Sequence, residues 1–212
     1  MRPVLSVTPN ALTARTRATA TDQRCHAHAT GYLRDVPESA LIVIDMMNAY
    51  DHEDADRLVE SARGAVPRIA ELLERASGDE DTMVVYVNDN YERWDQQRDD
   101  VVRAALDGRF PELVEPIKPP PHVPFFTKGR HSIFYQTSVD HLLQVEGVKQ
   151  LVLTGQVTEQ CILYSALDAY LRGYEVRVPK DAVAHINSEW AEAAFGMMEE
   201  NMHASVLEVA SS

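Results

Sequence analysis

Three residues with reactive side chains follow three different apolar segments of this sequence: Asp45, Lys128 and Cys161. Asp45 and Lys128 each directly follow an apolar run, and Cys161 follows another run after one short loop. A cysteine thiolate is a nucleophile, a carboxylate can accept its proton, and an ammonium group can stabilise both. Such a set, if brought together, could attack a carbonyl carbon and form a covalent intermediate.

The segment around Cys161 carries the strongest single signal. Residues 150–154 predict a short buried strand, and residues 159–172 predict a helix with apolar residues at helical spacing. Cys161 would then lie in the first turn of that helix, where unpaired N–H groups and partial positive charge favour a thiolate and can hold an oxyanion. A free cysteine is more often a small buried hydrophobe, so this segment alone leaves both interpretations open.

The elements that must position these residues follow an α/β pattern. The predicted strands are residues 40–44, 83–87, 123–127, 150–154, 175–178 and 205–209. The predicted helices are residues 55–76, 138–146, 159–172 and 188–201, and Pro67 is expected to break the first of them. Continuous apolar strands separated by helices are typical of a parallel sheet covered on both faces. Because such sheets bind ligands beyond the carboxyl ends of their strands, the three reactive residues should meet at one edge.

Composition narrows the class of protein. A chain of 212 residues suits one α/β domain with a full core. Its formal net charge of -13 argues against nucleic acid or an anionic membrane as partner. Cys25 and Cys161 are too few for a disulfide scaffold, and we expect a cytoplasmic protein without a membrane span or signal segment. Residues 1–37 have no clear period and predict an N-terminal extension, so the domain should occupy residues 38–212.

Three spaced segments resemble the signature segments of the isochorismatase-like cysteine hydrolases, in the same order. They are Leu41-Ile-Val-Ile-Asp45-Met-Met-Asn48, Lys128-Gly-Arg130-His-Ser132-Ile-Phe134 and Thr154-Gly155-x-x-Thr158-x-x-Cys161. The likeness continues to about residue 210 and is nearest to the metal-free amidohydrolase-like branch, which includes N-carbamoylsarcosine amidohydrolase. It leaves the first 37 residues outside.

The resemblance implies a fold and a mechanism. The fold would be a three-layer, Rossmann-like α/β/α isochorismatase fold with a six-stranded parallel sheet. Asp45, Lys128 and Cys161 would form a catalytic triad, and the thiolate would form a covalent acyl-enzyme. The backbone N–H groups of Thr158 and Cys161 would bind the oxyanion, with a cis peptide expected between Val157 and Thr158.

This chain departs from the family pattern at the residues that bind a metal ion in nicotinamidase-like members. Nicotinamidase-like members carry an Asp-x-His metal triplet after the second strand, with a further His beyond. This chain has Asn88-Asp89-Asn90-Tyr91-Glu92-Arg93-Trp94 there, without histidine. Asp89 alone is a poor metal site. We therefore expect no metal and no cofactor, and nicotinamide becomes a less favoured substrate.

Several loop residues beside the triad are candidates for contact with a small-molecule substrate: Asn48, Tyr91, Trp94, Arg130, His131, Phe134 and Tyr135. Arg130 could bind a substrate carboxylate bidentately, although a surface salt bridge explains it equally well. Trp94 and Phe134 could line an apolar pocket wall, or they could belong to the core.

The leading hypothesis is a cysteine hydrolase that cleaves a C–N bond of a small amide, ureide or carbamoyl compound. One alternative is isochorismate-type vinyl ether hydrolysis without a covalent step, which the presence of Cys161 disfavours. Another is a non-catalytic protein of the same fold that binds small ligands or acts as an interaction subunit. A homodimer, or a tetramer built from dimers, is expected from the family likeness and the N-terminal extension.

Overall fold

The computed structural model describes residues 38–209. The predicted N-terminal extension, with Cys25, lies outside the described residues. Within residues 38–209 there are seven strands: β1 Ser39–Ile44, β2 Thr82–Asp89, β3 Phe125–Lys128, β4 Gln150–Gln156, β5 Glu175–Pro179, β6 Val183–Ala184 and β7 Ser205–Leu207. The α-helices of this part are α1 Ala55–Ser77, α2 Arg98–Leu106, α3 Pro111–Val114, α4 Val139–Val145, α5 Leu163–Leu171 and α6 Ser188–Met202. None of these described helices is long and apolar enough to cross a membrane.

The strands form one parallel sheet in the order β3-β2-β1-β4-β5-β7. The two-residue strand β6 also pairs in parallel with β4, where it continues the sheet beyond the end of β5. The prediction of a six-stranded parallel α/β sheet is confirmed, with β6 as a short addition. Strand β6 was not predicted from the sequence, because two residues are too few to show an alternation of apolar and polar side chains.

Two apolar clusters cover the two faces of the sheet, as the alternation of side chains along β1 shows. Ile42 and Ile44 belong to a cluster that includes buried residues of α4, α5 and α6. Val43 points to the opposite cluster, which includes buried residues of α1, α2 and α3. Since each strand residue points opposite to its neighbour, one apolar strand serves both cores. The result is the predicted three-layer α/β/α arrangement.

The expected break at Pro67 is wrong, because α1 runs unbroken through it. A proline inside a helix removes one backbone hydrogen bond. The buried residues Ala62, Val66 and Ile69 lie on both sides of Pro67, so packing against the sheet continues across the lost bond. The helices α2 and α3 were not predicted, and in α2 only Val101 and Ala105 are buried, which leaves a weak apolar pattern.

The carboxyl edge of the sheet brings the ends of three neighbouring strands together. Asp89, the last residue of β2, is directly paired with Lys128, the last residue of β3. Ile44, the last residue of β1, is paired with Val87 on one side and with Gly155 on the other. The strand register therefore places Asp45, Asp89 and Lys128 at one edge, beside the end of β4.

Candidate active site

Asp45 leaves β1 in the left-handed backbone region, with φ of 56°. Aspartate is one of the few residues other than glycine that tolerate this conformation. The Asp45 backbone N–H donates to the Val87 carbonyl at 3.0 Å, which keeps the residue attached to the sheet. Its Oδ1 accepts a hydrogen bond from the Asp89 backbone N–H at 2.6 Å, and its Oδ2 lies 2.7 Å from Lys128 Nζ. The carboxylate is thus fixed on both oxygens.

Lys128 is buried beneath the site and contacts three reactive groups. Besides Asp45, its Nζ lies 3.5 Å from Asp89 Oδ2 and 3.5 Å from Cys161 Sγ. Burial by itself would lower the pKa of Lys128. The charges of Asp45, Cys161 and Asp89 outweigh burial and raise this pKa above its usual range. The ammonium group therefore stays protonated although it has almost no contact with solvent.

Cys161 lies in a single π-helical turn, Thr158–Ile162, which precedes α5. Its Sγ is 3.5 Å from Lys128 Nζ and 3.6 Å from His131 Nδ1. Burial raises the pKa of Cys161, the nearby Asp45 carboxylate raises it further, and Lys128 opposes both without cancelling them. Burial likewise raises the pKa of Asp45, against the effect of Lys128.

These pKa directions differ from the sequence-based expectation that the helix N-terminus and Lys128 would favour the Cys161 thiolate. The expectation left out desolvation, which disfavours any charged form in the interior. A neutral thiol adds no further negative charge beside the two carboxylates, Asp45 and Asp89, that already contact the single ammonium of Lys128. Formation of a thiolate at Cys161 would therefore require a neighbouring base to accept the thiol proton.

The last two residues of β4, Gly155 and Gln156, lead into the turn that carries Cys161. Gly155 has φ of +110°, and a Cβ at this position would lie 2.1 Å from the Ile44 carbonyl oxygen, so only glycine fits. Gln156 Nε2 donates to the Asp45 backbone carbonyl at 2.7 Å, and its Oε1 accepts a hydrogen bond from Tyr50 Oη at 3.3 Å. These contacts fasten the turn to the residue that carries the carboxylate.

The cis peptide lies between Gln156 and Val157, so the expected position between Val157 and Thr158 is wrong. The predicted strand ended at residue 154, but β4 extends to Gln156 because Gln156 pairs with Ala184 of β6. The chain leaves the sheet at the next residue. Beyond it, the N–H groups of Gln160 and Ile162 both donate to the Val157 carbonyl, at 3.0 and 3.1 Å. Those two amides are therefore engaged within the turn.

A cavity of about 460 Å³ opens above these residues. Asp45, Gln156 and Cys161 line its base, and we call these three together with the underlying Lys128 the floor. Loop residues from beyond β2 and β3 line its mouth, and we call them the rim: Tyr91, Arg93, Gln96 and His131. Asn48, Asp51 and Asp89, with Val101 and Ala105 of α2, also line the cavity.

Some of the predicted contact residues share this cavity with Asp45 and Cys161, namely Asn48, Tyr91 and His131. The Asn48 side chain accepts a hydrogen bond from the Tyr50 backbone N–H at 2.7 Å. Tyr91 is 43% exposed, yet its hydroxyl reaches inward to the Met47 carbonyl at 3.3 Å, and burial of that end raises its pKa. The His131 ring stacks on Tyr164 with a centroid distance of 5.4 Å.

The other predicted contact residues lie elsewhere. Trp94, Arg130 and Tyr135 line neighbouring clefts instead of the cavity, and Trp94 is 78% exposed. Phe134 is buried in the core, where its ring stacks on Tyr174 at 6.0 Å. Phe134 therefore does not reach the cavity, because its side chain points into the layer of α4, α5 and α6.

Sequence reasoning missed Asp89 and Gln156, whose side chains contact Lys128 and Asp45, and it also missed Asp51, Arg93 and Gln96 of the cavity lining. Asp89 was considered only as a metal ligand, but its carboxylate contacts Lys128. The signal was available, since Asp89 comes one residue after the apolar run 83–87, much as Asp45 directly follows the run that ends at Ile44. Gln156 gave no such signal, because its role depends on the additional length of β4. Among the described residues, no group of three or more His, Cys, Asp or Glu side chains could hold a metal ion. The expectation of a metal-free site remains a prediction.

Comparison with known proteins matches residues 39–211 to the Isochorismatase domain. An uncharacterised isochorismatase family protein, YaaI of Bacillus subtilis, is 31% identical over 169 residues, which cover 80% of this chain and 93% of the relative. Maleamate amidohydrolase of Pseudomonas putida is 30% identical over 163 residues, covering 73% of this chain and 76% of the relative.

Among solved structures, the nicotinamidase SaPncA of Staphylococcus aureus superposes with a TM-score of 0.63 at 26% identity. The match covers 82% of this chain and 99% of that structure. Fold, matched length and sequence identity agree, and this chain belongs to the isochorismatase family of hydrolases.

Proposed function

We propose that this protein is a cysteine amidohydrolase that cleaves a C–N bond of a small amide, ureide or carbamoyl compound. The observation that carries the proposal is the floor of the cavity. There a thiol lies 3.5 Å from a buried ammonium group, and the ammonium lies 2.7 Å from a buried carboxylate. A nucleophile, a proton acceptor and a fixed charge at the base of a cavity suit covalent acyl transfer.

The proposed reaction starts with transfer of the Cys161 proton to Asp45 while Sγ attacks the carbonyl carbon. The tetrahedral intermediate collapses as Asp45 returns the proton to the leaving nitrogen, which departs as an amine or ammonia. Asp45 then takes a proton from water, and the resulting hydroxide attacks the thioester. Cys161 leaves with a proton and the product acid is released. Lys128 stays charged throughout and stabilises the thiolate that forms.

The developing oxyanion needs hydrogen-bond donors beside the scissile carbonyl. The backbone N–H groups of Thr158 and Cys161 are the proposed donors, because the turn already engages the neighbouring amides of Gln160 and Ile162. Thr158 is held in place by its hydroxyl, which donates to the Ala184 carbonyl at 3.0 Å. One donor of this kind typically accounts for a factor of about 10²–10³ in rate.

The family relationship supports amide chemistry. Similar proteins bear the names maleamate amidohydrolase, ureidoacrylate amidohydrolase and nicotinamidase. Two other functions remain alternatives: vinyl ether hydrolysis with Asp45 as acid, and ligand binding without turnover.

The test is ammonia release from maleamate, ureidoacrylate and nicotinamide by the parent chain, Cys161→Ala and Cys25→Ala. We expect Cys161→Ala to lose at least about 10³-fold in kcat/KM, and Cys25→Ala to match the parent. Intact mass after acid quench should show an acyl adduct on the parent during turnover. Full turnover by Cys161→Ala would contradict the covalent route and favour the acid mechanism. A parent inactive on amides and on isochorismate would favour a binding protein.

A further inference from the structure

Arg93 projects from a tightly turned loop directly after β2. Tyr91 and Glu92 both have left-handed backbones, with φ of 49° and 59°. The Asn90 carbonyl accepts a hydrogen bond from the Arg93 backbone N–H at 2.8 Å, and the Asn90 side chain accepts one from the Glu92 N–H at 3.0 Å. This turn places Arg93 on the rim of the cavity that contains Cys161.

The guanidinium group of Arg93 has no ion-pair or side-chain hydrogen-bond partner among residues 38–209. Other arginines near this edge are engaged: Arg98 donates to the carbonyls of the proline-rich loop, and Arg109 pairs with Asp56 at 2.8 Å. A cation free of partners at the mouth of a cavity is available to a ligand.

Arg93 is also the sole arginine or lysine among the described residues that line the cavity. The acids of the lining are mostly occupied, since Asp45 and Asp89 contact Lys128 and Asp54 pairs with Arg57. Asp51 and Arg93 are both exposed, so water screens the charge of each, and no ion pair joins them. The cavity that contains the Cys161 thiol is therefore also lined by a guanidinium group without an ion-pair partner among the described residues.

We infer that Arg93 binds a carboxylate of the substrate, so that the substrate class is a small amide or ureide carrying a carboxylate at its far end. This inference rests on the proposed function and adds the chemical class. A guanidinium binds a carboxylate through two parallel hydrogen bonds. Sequence reasoning considered Arg130 for this part, beside a surface salt bridge. Arg130 lines only the neighbouring clefts and donates to its own loop at the Gly129 carbonyl.

Two alkylating reagents of nearly equal size test the inference without requiring turnover. Iodoacetate carries a carboxylate and iodoacetamide does not, and both react with thiols. Rates at Cys161 are measured by peptide mass spectrometry at pH 8.5 in the parent, Arg93→Gln and Arg130→Gln. We expect Arg93→Gln to slow iodoacetate about tenfold and to change the iodoacetamide rate less than about twofold. Arg130→Gln makes the same change of charge outside the cavity and should leave both rates near the parent values.

Equal effects of Arg93→Gln on the two reagents, no effect on either, or the same selectivity in Arg130→Gln would each overturn the inference. If Cys161 reacts with neither reagent, calorimetric titration of maleamate into Cys161→Ala decides. If Cys161→Ala binds maleamate and the further substitution Arg93→Gln weakens that binding about tenfold, the carboxylate site is supported. Absence of maleamate binding, or an affinity that Arg93→Gln leaves unchanged, overturns it. The parent could lack amidase activity while the rate of Cys161 alkylation by iodoacetate still depends on Arg93. That result would reject the proposed function and retain an anion site.

Discussion

The floor and the rim of the cavity are built in opposite ways. The floor residues come from strand ends and the turn after β4, are buried, and each contacts other members of the site. The rim residues come from loops, and Tyr91 and Arg93 are exposed. Changes in the floor should therefore disturb folding and chemistry together, whereas changes in the rim should alter only which molecule binds.

The largest effect is expected for Lys128→Met. The substitution leaves the Asp45 carboxylate buried without its partner, which should cost about 3–5 kcal/mol of unfolding free energy and abolish turnover. Denaturant unfolding and kcat measure the two effects. The double variant Asp45→Asn with Lys128→Met should recover part of the stability but none of the activity. Unchanged stability of the single variant would mean that the pair does not hold the floor together.

Gly155→Ala should be the next most damaging change. Its Cβ would meet the Ile44 carbonyl oxygen at 2.1 Å, in a backbone conformation that L-residues rarely adopt. We expect a loss above about 3 kcal/mol, or failure to fold. Gly173→Ala is the matched control, because Gly173 also has positive φ but nothing lies within 4 Å of its Cβ position. Its cost should stay near 1–2 kcal/mol, roughly the backbone penalty alone. Equal losses in thermal unfolding would show that crowding at the floor is unimportant.

Asp89→Asn should have an intermediate effect on activity. Its carboxylate is 3.5 Å from Lys128 Nζ and about one third exposed, and the backbone N–H that binds Asp45 would remain. We expect kcat to fall about tenfold and stability to change by less than about 1 kcal/mol. Asp51→Asn removes another acid of the cavity that has no contact with Lys128, and it should retain the parent kcat. Similar losses in both variants would point to a general effect of charge.

Trp94→Ala should change kcat/KM by less than about twofold, because its ring is 78% exposed and lies beside the cavity, against Gly129. Steady-state kinetics on the best amide substrate measures this. A loss of kcat/KM above tenfold would show that Trp94 contacts the substrate although it does not line the cavity.

The smallest effect is expected from a chelator. Asp89 is not accompanied by histidine between residues 88 and 94, and its carboxylate contacts Lys128. Turnover before and after treatment with EDTA should be equal. Activity that falls on treatment and returns with added zinc or iron would contradict this expectation.

The sequence was a good guide wherever apolar runs were long. All six predicted strands and the long helices lie close to their observed positions. Asp45 directly follows the end of β1, and Lys128 is the last residue of β3. Prediction failed where the apolar pattern was weak or tertiary pairing extended an element. The short helix α2 and strand β6 were missed, β4 extends two residues beyond its predicted end, and the cis peptide lies one bond before its expected place.

The sequence by itself determined the layers of the fold and the identity of the reactive residues, because strand ends in a parallel sheet share one edge. Only the tertiary structure decided their electrostatics, since the pKa of Cys161 depends on burial and on neighbours distant in sequence. It also decided that Arg93, rather than Arg130, lines the cavity. That choice depends on left-handed turns at Tyr91 and Glu92, whose direction the order of residues does not reveal.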